Sequence, residues 1–191
     1  GIGVLIAIVT SGYRMKRFIS FINPWKYATD EGYQLVHSLY AIGTGGLFGV
    51  GLGNSKQKAL YMPEPHNDFI FAIICEELGL IGAIIVISVF LVLIVAGINV
   101  AMRAKDKYGR LLATGIVSVI AVQVVINIAV VTGSMPVTGV PLPFISYGGT
   151  SLVFNLAAIG VLLNISSQTK THKDEIQEKI ERKRIKSKMN I

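Results

Sequence analysis

The chain has 191 residues, of which 52% are hydrophobic and 15% charged, with a formal net charge of +7. A soluble domain carries about a quarter charged residues. The shortfall excludes an ordinary water-soluble globule, and basic residues that sit beside apolar runs, not on a shared face, exclude a nucleic-acid partner.

In chain order, "GIGVLIAIVTSGYRMKRF" has about ten apolar residues before charge begins. A signal peptide has its basic residues before the apolar core. Residues 1–12 therefore read as the end of a truncated transmembrane helix, and the chain as the C-terminal part of a larger membrane protein. Residues 13–69 follow as an extracytoplasmic loop, too long for a simple connection. Inside it, "DEGYQLVHSLYAIG" places Leu35, Leu39 and Ile42 near helical spacing, which predicts a short helix in, or re-entering, the outer interface. Next comes "GTGGLFGVGLGNS", with six glycines in eleven residues. It has no Walker-type ending and no strand leading into it. Two readings stay open: tight backbone packing of a re-entrant segment, or phosphate contact.

No Asp, Glu, Lys or Arg occurs from Leu78 to Met102, nor from Leu111 to Thr169. About 20 uncharged residues span a bilayer, so 70–102 is one expected helix. The second run exceeds one span, and "TGSMPVTGVPLPFISYGG" divides it with three prolines and four glycines. The expected helices are 111–132 and 151–167, with 133–150 as an extracytoplasmic turn. The loop 103–110, "RAKDKYGR", holds four basic residues and one acid, and the tail 168–191 is basic as well. Short basic loops stay in the cytoplasm, which places the loop and tail inside, and 13–69 with 133–150 outside. The expected fold is an all-α integral membrane protein, a polytopic helical bundle. Cys75 stands alone, so no intrachain disulfide is available.

Asp68, in "PEPHNDFIFA", has two readings. With Asn67 it sits where a helix cap is needed. A carboxylate at a dry interface can also have its pKa raised, which suits a general base, and the two prolines fix where His66 and Asp68 point. Glu76 and Glu77 lie about two turns deeper, Glu76 at roughly 80° from Asp68 on a helical wheel. They either face the same cavity or make interhelical hydrogen bonds. Lys56 and Lys58 either pair an anion or are solvated. No His/Cys/Asp cluster has metal-site spacing.

Two blocks carry a family resemblance. "NPWKYATDEGYQLVHSLYAIGTGGLFGVGLGNSKQKALYMPEPHNDFIFAIICEELGLIG" resembles the largest extracytoplasmic loop of the SEDS family, and "NIAVVTGSMPVTGVPLPFISYGGTS" resembles its C-terminal signature. "GLGNSKQKALYMPEPH" is similar to the FtsW/SpoVE branch more than to RodA. Ser134 stands where the family usually has an apolar residue.

The resemblance implies a ten-helix protein of which this chain supplies the last four helices. It implies a peptidoglycan glycosyltransferase that polymerises lipid II on the outer face of the bacterial cytoplasmic (inner) membrane. The implied partners are a class B penicillin-binding protein and other divisome or elongation proteins. Asp68 falls at the family's essential aspartate. It would take the proton from the GlcNAc 4-hydroxyl of one lipid-linked sugar as that oxygen attacks the anomeric carbon of another. The charge on the departing polyprenyl pyrophosphate calls for cations: Lys56, Lys58, an arginine from the half of the protein that precedes this chain, or a divalent ion (Mg2+ or Mn2+). His66, Glu76, Glu77, Pro136, Pro143, Ser146, Gly148 and Gly149 complete the expected substrate-binding set. A lipid II transporter (flippase) and a non-catalytic scaffold for a penicillin-binding protein are the alternatives.

Overall fold

The computed structural model describes residues 12–30, 32–57, 67–168 and 180. Residues 1–11 of the expected truncated helix, Lys58, His66 and nearly all of the tail lie outside the described residues. The order is α1 (Gly12–Ile22), a 3-10 turn (Pro24–Tyr27), α2 (Tyr33–Gly45), α3 (Ile70–Arg103), α4 (Lys107–Val131) and α5 (Gly149–Ser167), with no strand among the described residues. The three helices α3, α4 and α5 are long and apolar enough to cross a membrane.

The chain ends α1 just before Asn23-Pro24, since proline disfavours helical backbone in the residue before it. The helix α4 starts four residues before the expected Leu111. Asp106 is its N-cap, and its carboxylate accepts from the Gly109 amide at 2.9 Å. That bond satisfies one of the orphan donors of a first helical turn. The connection between α3 and α4 shrinks accordingly to 104–106.

The long helix α3 is not continuous. Gly79 has φ 68° and ψ −163°, which separates an outer segment, 70–78, from an inner one, 80–103. At about 1.5 Å per residue the inner segment alone reaches roughly 36 Å, enough to cross the hydrocarbon core. A break orphans carbonyls on one side and amides on the other, and each needs a partner where water is scarce. The glycine-rich segment supplies them. The Val50 and Gly51 amides donate to the Glu76 and Glu77 carbonyls at 3.0 Å, and the Leu80 and Ile81 amides donate to the Gly46 and Leu47 carbonyls at 2.9 and 3.4 Å.

This interleaving leaves no room for side chains. A Cβ on Gly49 would lie 2.1 Å from the Glu77 carbonyl oxygen, and one on Gly79 would lie 2.4 Å from the Gly49 nitrogen. The Gly49 amide is also engaged, donating to the Gly45 carbonyl. Of the two readings left open by sequence, backbone packing is the one that forms. The Gly49, Val50 and Gly51 amides, which would help to wrap a phosphate, are bonded to carbonyls of the chain.

The core collects Phe71, Phe90, Ile120, Val124, Val131 and Leu142 between α2, α3, α4 and the turn before α5. A smaller cluster of Ala101, Ala113, Val117 and Leu162 closes the other end. The helices α3 and α4 approach closely at Gly97, where an added Cβ would meet the Val117 side chain at 2.4 Å. Small residues at such crossings are typical of membrane bundles. Ser38 of α2 donates to the Val131 carbonyl at 2.7 Å and fastens α2 to the end of α4.

Candidate active site

Asp68 lies two residues before α3 and is half-buried. The N-cap of α3 is Phe69, which has no side-chain oxygen to offer, so Asp68 does not occupy the capping position that the sequence left open to it. For the same reason the helical wheel linking it to Glu76 does not apply, because Asp68 precedes the helix.

Three other segments converge on Asp68. The Pro/Gly turn passes so close that a Cβ on Gly139 would lie 3.4 Å from Asp68 Oδ2. Arg17 of α1 places its positive charge beside the carboxylate and donates from Nη1 to the Val137 carbonyl at 3.1 Å. Asn127 of α4 donates from Nδ2 to the Asp68 and Val140 carbonyls, both at 2.8 Å. Burial raises the Asp68 pKa above the ordinary carboxylate value, and the nearby Arg17 cation partly offsets this. The result is a carboxylate poised to accept a proton, walled by backbone on one side and flanked by a cation.

The other expected site residues divide. Glu76 is 2% exposed and turned away to the loop before the undescribed stretch. Its carboxyl accepts from Ser55 Oγ, from the Lys56 amide at 3.1 Å and from the Gln57 amide at 3.5 Å. Its role here is to tie residues 55–57 to α3. Glu77 is half-buried, with Oε1 enclosed and without a hydrogen-bond partner. Lys56 is exposed and joins this arrangement through its backbone.

In the turn, Pro136 is half-buried next to Val137, while Pro143 is fully buried. Ser146 accepts from the Leu142 amide at 2.7 Å and returns its own amide to the Leu142 carbonyl at 3.0 Å. Gly148 is the N-cap of α5 and Gly149 its first residue. These residues shape the turn that carries Gly139 to Asp68.

Arg17 and Asn127 were not singled out from the sequence. Arg17 lies within the expected loop 13–69, and its meeting with Asp68 is tertiary. Asn127 did leave a signal: an amide within an uncharged apolar run is costly unless something bonds it. Among the described residues no three His, Cys, Asp or Glu side chains meet. The groups around Asp68 among the described residues are a guanidinium, an amide and backbone carbonyls.

The family model for FtsW/RodA/SpoVE, described as "Cell cycle protein", matches residues 1–171. The chain belongs to this family. Stage V sporulation protein E of Bacillus subtilis (strain 168) is 54% identical over 164 residues, covering 86% of this chain and 45% of the relative. A probable peptidoglycan glycosyltransferase FtsW of Coxiella burnetii (strain RSA 493 / Nine Mile phase I) is 52% identical over 169 residues, with 87% and 45% covered. The chain thus spans about half the length of the curated FtsW/RodA/SpoVE relatives it matches.

Among solved structures, one described as "Structural coordination of polymerization and crosslinking by a peptidoglycan synthase complex" aligns with a TM-score of 0.70 at 26% identity, covering 89% of this chain and 46% of that one. A mutant of the Thermus thermophilus rod shape determining protein RodA aligns with a TM-score of 0.54 at 32% identity, with 70% and 40% covered. Sequence and structure therefore agree on a polytopic, all-helical member of this membrane family.

Proposed function

We propose that the chain is the site-bearing C-terminal part of a peptidoglycan glycosyltransferase. In this reading it supplies the last four helices of a ten-helix protein that polymerises lipid II on the outer face of the bacterial cytoplasmic membrane, for division or sporulation. The observation that carries the reading is Asp68: a half-buried carboxylate of raised pKa beside Arg17, at the threshold of a membrane helix. The names of the FtsW relatives support the activity. The synthase complex among the similar structures supports a crosslinking partner, a class B penicillin-binding protein.

The substrate's reacting sugars sit at the lipid headgroup level because a polyprenyl chain anchors them. Asp68 meets them there. It takes the proton of an acceptor sugar hydroxyl while that oxygen forms a bond to the anomeric carbon of the donor. The bond from that carbon to the diphosphate breaks, and the diphosphate leaves with the electron pair. Arg17 adds positive charge at the same place, with Lys56 and Lys58 as further candidates. Charge stabilisation of this kind is commonly a large catalytic contribution.

A transporter reading draws on the broken helix α3, since discontinuous helices mark many transport sites. In such sites the broken ends face the substrate. Here the ends at Gly79 are bonded to residues 46–51 of the same chain. Full-length protein in lipid II proteoliposomes separates the two. Glycan polymer is the expected product, and rapid lipid II flipping without polymer would favour transport.

A further inference from the structure

We propose that Asn127 is the positioning residue of this site: one buried side-chain amide sets the gap between the Asp68 carboxylate and the wall that faces it. The proposal rests on the glycosyltransferase reading for its kinetic consequences, though not for its geometry.

Asn127 is 1% exposed. Its Nδ2 carries two hydrogens, and two backbone carbonyls receive them, Asp68 and Val140, each at 2.8 Å. Both partners are pure acceptors, so the amide nitrogen must face them and Oδ1 must point away. Oδ1 is indeed enclosed and has no partner. The two carbonyls belong to segments 72 residues apart, taking the difference between positions 140 and 68.

Among the described residues no hydrogen bond to the Asp68 carboxylate is seen, and Asn127 holds the residue by its backbone carbonyl. The opposing wall, Gly139, adjoins the other carbonyl that Asn127 holds. Asn127 therefore ties down both sides of an approach in which a Cβ added to Gly139 would lie 3.4 Å from Asp68 Oδ2. A general base works only within hydrogen-bond reach of its proton, and a displacement of about 1 Å costs on the order of 10²-fold in rate.

No other side chain repeats this. Aspartate has the same shape but presents oxygens to two carbonyl oxygens. Leucine leaves both carbonyls buried without donors. Serine keeps one donor of two.

The test uses the full-length protein with three readouts. In lipid II polymerisation, Asn127→Asp should lower kcat about 10²-fold with a smaller change in KM. The acid limb of kcat/KM is read in Asn127→Ser, which adds no carboxylate beside Asp68, and should move to lower pH, because a loosened Asp68 gains water while Arg17 remains, and burial is what raises its pKa. A purely structural role would lower activity and leave that limb in place. The third readout needs no activity: disulfide formation between Asp68→Cys and Gly139→Cys in membranes should slow several-fold when Asn127→Asp is added.

If the wild type makes no polymer, the glycosyltransferase reading fails, and crosslinking alone decides the positioning role: slowing sustains it, an unchanged rate overturns it. If polymer forms, an unmoved acid limb together with unchanged crosslinking overturns the proposal. Should Asn127→Asp fail to accumulate, Asn127→Ser carries the other two readouts as well, with effects in the same direction and smaller.

Discussion

Asp68 feels two opposing influences, burial raising its pKa and Arg17 lowering it, with burial the larger. The native state therefore holds the Asp68 proton more tightly than the unfolded chain. That contribution to stability is complete below the ordinary value of 3.8 and is lost as pH rises through the native value. Asp68→Asn does not titrate and escapes this loss. Thermal unfolding in detergent across a pH series should show the Asn variant at least as stable as wild type near neutral pH. A less stable variant would mark the carboxylate as a structural anion. Arg17→Gln removes the one influence that lowers the pKa, so the acid limb of kcat/KM should move to higher pH. An unmoved limb would separate Arg17 from the site.

Among the elements, the interleaved break at Gly79 and the Glu76 tie hold residues 46–57 against α3. Gly49 has φ 78° and faces the Glu77 carbonyl, so Gly49→Ala combines an unfavourable backbone with a clash. Strain of this kind costs about 1–3 kcal/mol before any clash is counted, and a matching fall in unfolding temperature is expected. Gly43 is the control: nothing lies within 4 Å of its added Cβ, and alanine suits its helix. Equal behaviour of the two variants would contradict the packing described. Glu76→Ala should leave the Ser55 hydroxyl and two amides without their acceptor, at about 1–3 kcal/mol for each buried group. Hydrogen exchange at residues 56–57 should quicken, while Glu76→Gln, which keeps an oxygen, should change it less.

These elements also show what sequence can and cannot carry. The helices α3, α4 and α5 were legible because charge is absent over long runs, and α2 because Leu35, Leu39 and Ile42 repeat at helical spacing. The break at Gly79 was not legible. A glycine in "EELGLIG" looks like any glycine in an apolar helix, and the chain that completes its hydrogen bonds lies some thirty residues upstream. The early start of α4 falls inside the charged stretch, where the Asp106 cap and not the charge pattern marks it. Asp68 is a candidate legible in its motif, whereas Arg17 and Asn127 join the candidate site only when four segments meet.

At the scale of the whole molecule, the basic turn between α3 and α4 is the ground for the proposed orientation, with that turn in the cytoplasm. A cysteine at position 107 (Lys107→Cys) should react with membrane-impermeant reagents only from the cytoplasmic side, and labelling of intact cells would reverse the arrangement. In the proposed orientation, Asp68, Arg17, Asn127 and the Gly139 turn would share the outer face, where the proposed lipid-anchored sugar would be presented. The central claim is that Asp68 is the base of a polymerase. The most direct measurement is lipid II polymerisation by the purified full-length protein with the proposed penicillin-binding protein partner, wild type against Asp68→Asn. A positioned base contributes about 10²–10⁴-fold, so the wild type should build glycan strands and the Asn variant, folded and still bound to its partner, should build essentially none. Robust polymer from the Asn variant would contradict the account.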